Sequence, residues 1–134
     1  MKSNTTTFTI AEYVKQMQQG DIKVNKDYQR SNVVWPVAAR SYLIDTILKG
    51  YPVPKLSLYQ KTELKTRVTI KEIVDGQQRS QAVRDFFEGK FRISGHSTFT
   101  GRLFEQLEPE DQTAFISYPL SADVFAAATD SEVR

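Results

Sequence analysis

Apolar positions along the chain recur at two spacings. Leu43, Ile44, Ile47 and Leu48 fall on one face at helical spacing, and so do Ala82, Val83, Phe86 and Phe87. Ile22 and Val24, and again Leu56 and Leu58, alternate with polar residues as half-buried strands do. Thr66 to Val74 is rich in β-branched residues and predicts the strongest strand.

Caps and breakers set the limits of these elements. Thr9 and Glu12 have capping-box spacing, with Phe8 and Tyr13 placed as a hydrophobic staple, so a helix is expected over about 10–19 with Gly20 ending it. Pro36 suits the first turn of a second helix, which Gly50 stops. Tyr51-Pro52-Val53-Pro54 must then be extended, and Lys61 to Lys65 reads as a turn or hairpin loop. A third helix is expected over about 77–88, closed by Gly89. Phe91 and Ile93 suggest a short strand, and residues 94–102 a polar loop. Short helices are expected within 103–107 and 109–115, and a strand within 116–125. Thr129-Asp130-Ser131-Glu132 resembles a helix start two residues before the chain ends, which suggests a fragment of a longer protein. The pattern mixes α and β, and the expectation is a single domain spanning 1–134, cut short at its C-terminal end.

Composition narrows the chemistry. With 134 residues, 14 Phe and Tyr and 40% hydrophobic content, the chain can bury a core of its own. It has no Cys and one His, which excludes a disulfide framework, a thiolate zinc site, a cysteine nucleophile and any cluster of imidazoles. No apolar run approaches the roughly 20 residues of a membrane span, and no signal-peptide pattern opens the chain. The expectation is a soluble, cytoplasmic protein without a membrane partner.

Net charge is only +2, but it is unevenly placed. Residues 22–92 hold 14 Lys and Arg against 7 Asp and Glu, whereas residues 103–134 hold 1 against 7. A basic middle attracts the phosphates of a nucleotide or a nucleic acid; a solvated face has the same composition.

The segment Glu72-Ile-Val-Asp75-Gly76-Gln77-Gln78-Arg79 concentrates the candidate chemistry. A strand running through a tight Asp-Gly turn into a helix presents backbone N–H groups at the positive end of the helix dipole. Gly76 lets a ligand approach the backbone, Arg79 can fork onto phosphate oxygens, and Gln77 or Gln78 can orient a phosphate or a water. The same residues also fit a plain capping box, Asp75 to Gln78, with Arg79 on the surface. No Walker A pattern occurs. Strand alternation puts Glu72 and Asp75 on opposite faces, so they do not form a catalytic carboxylate pair. Arg30, in Asp27-Tyr28-Gln29-Arg30, can supply a second phosphate contact or lie in an exposed loop beside a core Trp35. Arg40 and Arg84 are expected on solvated helix faces, with Asp45 exposed and His96 on the surface.

Four ordered blocks add a resemblance. They are Gln29-Arg30, Val34-Trp35, Leu43 through Pro54, and Val74-Asp75-Gly76-Gln77-Gln78-Arg79. Over roughly 8–125 they resemble the N-terminal domain of GmrSD-type modification-dependent restriction enzymes, a domain similar to the ParB and sulfiredoxin fold. The resemblance implies a small α+β domain, a compact mixed sheet flanked by helices. It implies a nucleoside triphosphate bound and hydrolysed at the Asp-Gly-Gln-Gln-Arg block, with Mg²⁺. Asp75, Gly76, Gln77, Gln78 and Arg79 become site residues, Asp75 the metal ligand, and Gln29 and Arg30 a second wall. The implied role is a regulatory sensor for DNA cleavage in phage defence, with DNA and a downstream nuclease domain or partner subunit as partners. The alternatives are a ParB-like DNA-binding or DNA-nicking module and a non-catalytic protein-interaction domain. The sulfiredoxin chemistry needs a Cys that this chain lacks. The helix carrying Phe and Asn that usually follows in the family, and its His-Asn-His nuclease domain, are not in this sequence.

Overall fold

The structure is a computed structural model that describes residues 2–24 and 34–126. Strand β1 (Lys2–Thr9) leads directly into helix α1 (Ile10–Gln19), and strand β2 (Ile22–Val24) follows. Helix α2 (Val37–Leu48) precedes the hairpin of β3 (Leu56–Thr62) and β4 (Thr69–Asp75). Helix α3 (Gln77–Phe87), a 3₁₀ turn (Phe104–Gln106), helix α4 (Pro109–Ile116) and strand β5 (Pro119–Ala126) complete the order.

The helix ends obey their local chemistry. Thr9 Oγ1 accepts from the Glu12 N–H at 3.1 Å, and the Glu12 carboxylate accepts from the Thr9 N–H at 3.0 Å. That reciprocal pair satisfies two donors with no intrahelical partner. Phe8 and Tyr13 meet edge to face with ring centroids 5.6 Å apart, which forms the expected staple. Pro36 caps α2 from just outside rather than sitting in its first turn.

The five strands form one mixed sheet in the order β1-β5-β3-β4-β2. β1 pairs antiparallel with β5, β3 parallel with β5, β3 antiparallel with β4, and β2 parallel with β4. Leu120, Ala122 and Val124 of β5, Leu56 and Leu58 of β3, and Ile73 of β4 enter one core with Ile10, Tyr13, Val14, Ile44, Ile47, Val83 and Phe86 from the helices.

Four further details depart from the sequence-based expectation. β1 was not anticipated: its residues are mostly Thr, Ser and Asn, and its pairing runs the full length of β5. β4 begins at Thr69, and residues 63–68 form the hairpin tip, with Arg67 at a left-handed φ of 60°. Phe91 and Ile93 are buried but form no strand. Phe91 packs at 5.5 Å on Phe86, and the Ile93 backbone bonds Arg102 and Gly101 across the loop. Trp35 packs against the core from its margin and is only partly buried.

Candidate functional site at the β4 to α3 turn

β4 ends at Asp75, and α3 starts one residue later. The residue between, Gly76, has φ 102° and ψ 22°. A Cβ there would stand 2.3 Å from Leu56 Cδ2 and 3.3 Å from Arg79 Nη2. The turn is therefore reserved for glycine twice over, by backbone conformation and by space. The capping box of Asp75 and Gln78 does not form, because Gly76 rather than Asp75 occupies the cap position.

The five residues of the turn divide their work. Gln77 Nε2 donates back to the Val74 and Ile73 carbonyls at 3.0 and 3.3 Å, which braces the end of β4. Gln78 Oε1 accepts from the Trp35 N–H at 3.1 Å and so holds the chain that enters α2. Arg79 Nη1 donates to the Pro54 carbonyl and, at 3.3 Å, to that of Lys55, which fixes the approach to β3. Its Nη2 lies 3.6 Å from Asp75 Oδ2. The Arg79 side chain is 15% exposed, that of Asp75 72%. Asp75 is thus the one carboxylate of the block turned to solvent, at the N-terminus of a helix whose first-turn amides have no intrahelical acceptor.

Tyr13 and Ser80 support this turn from below, and sequence spacing does not signal them. Their hydroxyls lie 2.8 Å apart in the core. Burial pushes the Tyr13 phenol up to about 12, against the opposing pull of the Ser80 hydrogen bond and the Arg79 charge.

β2 runs parallel to β4 with Val24 opposite Ile73, so the chain leaves β2 at the sheet end that carries the Asp75–Gly76 turn. Gln29 and Arg30, expected as the second wall, lie outside the described residues. So does the expected helix start at 129–132.

Other candidates fall elsewhere. Arg40 is not on a solvated face: its guanidinium lies 4.8 Å from the Phe91 ring centroid, and its Nε donates to the Trp35 carbonyl at 3.0 Å. Asp45 is likewise mostly enclosed, accepting from Ser97 Oγ at 2.5 Å and pairing with Lys49 at 3.0 Å. Arg84 pairs with Glu88 along its own helix, and His96 is exposed. Glu72 is buried beside Lys61 while Asp75 is exposed, the separation that strand alternation predicts. Between α2, the 51–54 segment and the start of β5 lies an open groove of about 500 Å³, lined by Ile47, Val53, Tyr118 and Pro119 among others. Its lining holds no carboxylate, histidine or cationic side chain, so it offers no acid–base pair.

Among the described residues no group of three or more His, Asp or Glu can cage a metal. A Mg²⁺ ion carried on phosphates takes one or two carboxylates from a protein, and at this turn Asp75 is the exposed one. Among the described residues no helix is long and apolar enough to cross a membrane.

The fold and this turn define an α+β domain whose candidate site sits where a sheet strand hands over to a helix. The family model for the GmrSD restriction endonuclease, N-terminal domain, matches residues 10–131, and the chain belongs to that family. Membership ties the chain to restriction-type systems. No curated protein and no solved structure matches it, so the expected ParB-like kinship rests on the sequence pattern alone.

Proposed function

We propose that this domain is the nucleotide-responsive part of a restriction-like phage-defence system, binding a nucleoside triphosphate at the β4 to α3 turn and supporting its hydrolysis. One observation carries the reading: an exposed carboxylate, Asp75, stands at the N-terminus of α3 beside a glycine that no other residue can replace without strain.

The first-turn amides and the helix dipole favour phosphate oxygens. Asp75 would hold a Mg²⁺ ion brought in with the nucleotide, and that ion would neutralise charge on the phosphates. Arg79 Nη2 faces Asp75 and would be the guanidinium donor offered to a phosphate, while Nη1 stays on the Pro54 and Lys55 carbonyls. Gln77 is braced through its Nε2, which leaves Oε1 as an acceptor to orient a water. Gln78 is a second candidate for that role, and Gln29 and Arg30 would add the second wall. DNA cleavage itself belongs to a nuclease domain or partner subunit, controlled by the nucleotide state of this domain.

The test is calorimetric titration with ATP, GTP and CTP, with and without Mg²⁺, on the wild type and Asp75→Asn. Asp75 is the suitable variant because its side chain is exposed, whereas Arg79 also secures the approach to β3. Mg²⁺-dependent binding that disappears in a folded Asp75→Asn supports the site. A folded wild type that binds none of the three overturns it.

A further inference from the structure

At the far end of β4 from the candidate site, residues 63–68 form the tip of the β3–β4 hairpin. With seven residues in β4, the two lie about 20 Å apart. The tip combines features that folding does not call for. Leu64 is 88% exposed and Val68 51%. Lys65 and Arg67 are exposed beside them, and Lys61, 49% exposed, stands at the base. Glu63 is the one acidic residue between Lys61 and Lys71.

The tip is held in shape. The Glu63 N–H donates to the Val68 carbonyl at 3.0 Å, and the Arg67 N–H to the Glu63 carbonyl at 2.8 Å. The Val68 N–H reaches Thr66 Oγ1 at 3.3 Å, and the Thr62 and Thr69 hydroxyls meet at 2.6 Å across the strands. Arg67 adopts the left-handed backbone region, which costs a residue with a Cβ about 1–2 kcal/mol. A short, internally bonded ribbon thus presents an exposed leucine on the same tip as the exposed Lys65 and Arg67.

We propose that this tip is a duplex-DNA contact, with Lys65 and Arg67 on backbone phosphates and Leu64 as an apolar wedge against a base step. β-ribbons can enter either groove of a duplex, and cations around an apolar tip match a phosphate-lined target. Apolar wedges that part stacked bases act from the minor groove in proteins that bend DNA, so the minor groove is the one this tip would enter. Charge complementarity favours DNA over a protein partner: between Lys61 and Lys71 there are four cations and one carboxylate. The assignment is independent of the nucleotide site, because it uses the opposite end of β4.

The experiment is anisotropy titration of a labelled duplex with the full chain at several salt concentrations from about 50 mM upward. A second duplex carries 2-aminopurine to report unstacking. The wild type should bind with affinity that falls steeply with salt. Lys65→Glu/Arg67→Glu should weaken binding at least about tenfold and flatten the log–log salt slope by about 2, one per lost phosphate contact. Leu64→Ser should keep the salt slope and lose the 2-aminopurine rise. Both variants should retain nucleotide binding, which separates this test from that of the β4 to α3 turn. Absence of duplex binding by the wild type at low salt overturns the proposal, and a tip that serves an acidic protein gives that result. An unchanged affinity in the folded charge-reversal variant also overturns it, and an undiminished 2-aminopurine signal in Leu64→Ser removes the wedge.

Discussion

Tyr13 Oη and Ser80 Oγ lie 2.8 Å apart in the core, a bond that joins α1 to the first turn of α3 across 67 residues of sequence. It ties the candidate turn to the capped start of α1. Neither hydroxyl is exposed, so each depends on the other for its partner.

Tyr13→Phe removes one side of that bond and leaves the Ser80 hydroxyl to find another partner. The expected loss is about 1–2 kcal/mol in urea unfolding at neutral pH. The pH dependence has a definite sign. The folded phenol titrates at about 12 against a reference of 10.0, so the folded state holds its proton more tightly. Stability from this group is complete below pH 10 and is lost as pH rises toward 12. Tyr13→Phe should lack that part of the alkaline loss; an alkaline limb identical to the wild type would contradict the assignment.

Gly76→Ala should destabilise the domain by about 2–4 kcal/mol, the sum of left-handed backbone strain and overpacking against Leu56. Gly20→Ala is the control, since its φ of 84° carries the strain but no atom lies within 4 Å of the new Cβ. Equal shifts in the two urea midpoints would show that the contact with Leu56 contributes nothing.

Arg79→Ala should cost about 1 kcal/mol, because Pro54 and Lys55 are exposed and water can replace the lost donors. The loss should be local. Faster amide exchange at the start of β3, with the rest of the sheet unchanged, is the expected pattern. Unchanged exchange throughout would deny the bracing role.

Glu88 sits where three elements meet. Its carboxylate accepts from Gln18 Nε2 at 3.0 Å and Arg84 Nε at 3.1 Å, and Lys90 Nζ lies 3.2 Å away. The Gln18 hydrogen bond, joined by Lys90 and Arg84 and opposed by desolvation, holds it at about 2 against a reference of 4.5. A depressed carboxyl stabilises above its unfolded value and loses that contribution as pH falls through the folded one. The difference in melting temperature between wild type and Glu88→Gln should therefore be largest above pH 4.5 and shrink toward pH 2. A difference independent of pH would assign Glu88 a packing role only.

Local signals made most of the frame legible. The Thr9–Glu12 box, the Phe8–Tyr13 staple and the apolar faces of α2 and α3 depend on neighbours a few residues away, and all appear in the structure. β1 was hidden because its partner, β5, is more than a hundred residues distant and its own residues are largely polar. Arg40 and Asp45 were misplaced for the same reason: Phe91 and Ser97, which enclose them, lie about fifty residues downstream. At the candidate site the turn itself was readable from Asp75-Gly76. What was not readable is that Gln77 and Arg79 brace backbone carbonyls, since carbonyl acceptors leave no mark in side-chain identity.

The sheet closes through its two most distant strands. Thr5 and Asp123, hydrogen-bonded at 2.9 Å, are 118 residues apart. β1 stands at one edge with β5 as its neighbour. A ribosome therefore releases β1 long before β5 exists, and the sheet cannot be completed until synthesis has passed residue 126. A threonine-rich strand without proline and with a single lysine is ready to pair throughout that wait, so its unpaired edge is the part of the nascent chain that needs shielding. Stopping translation before Pro119 would strand both β1 and the β5-facing edge of β3 at once.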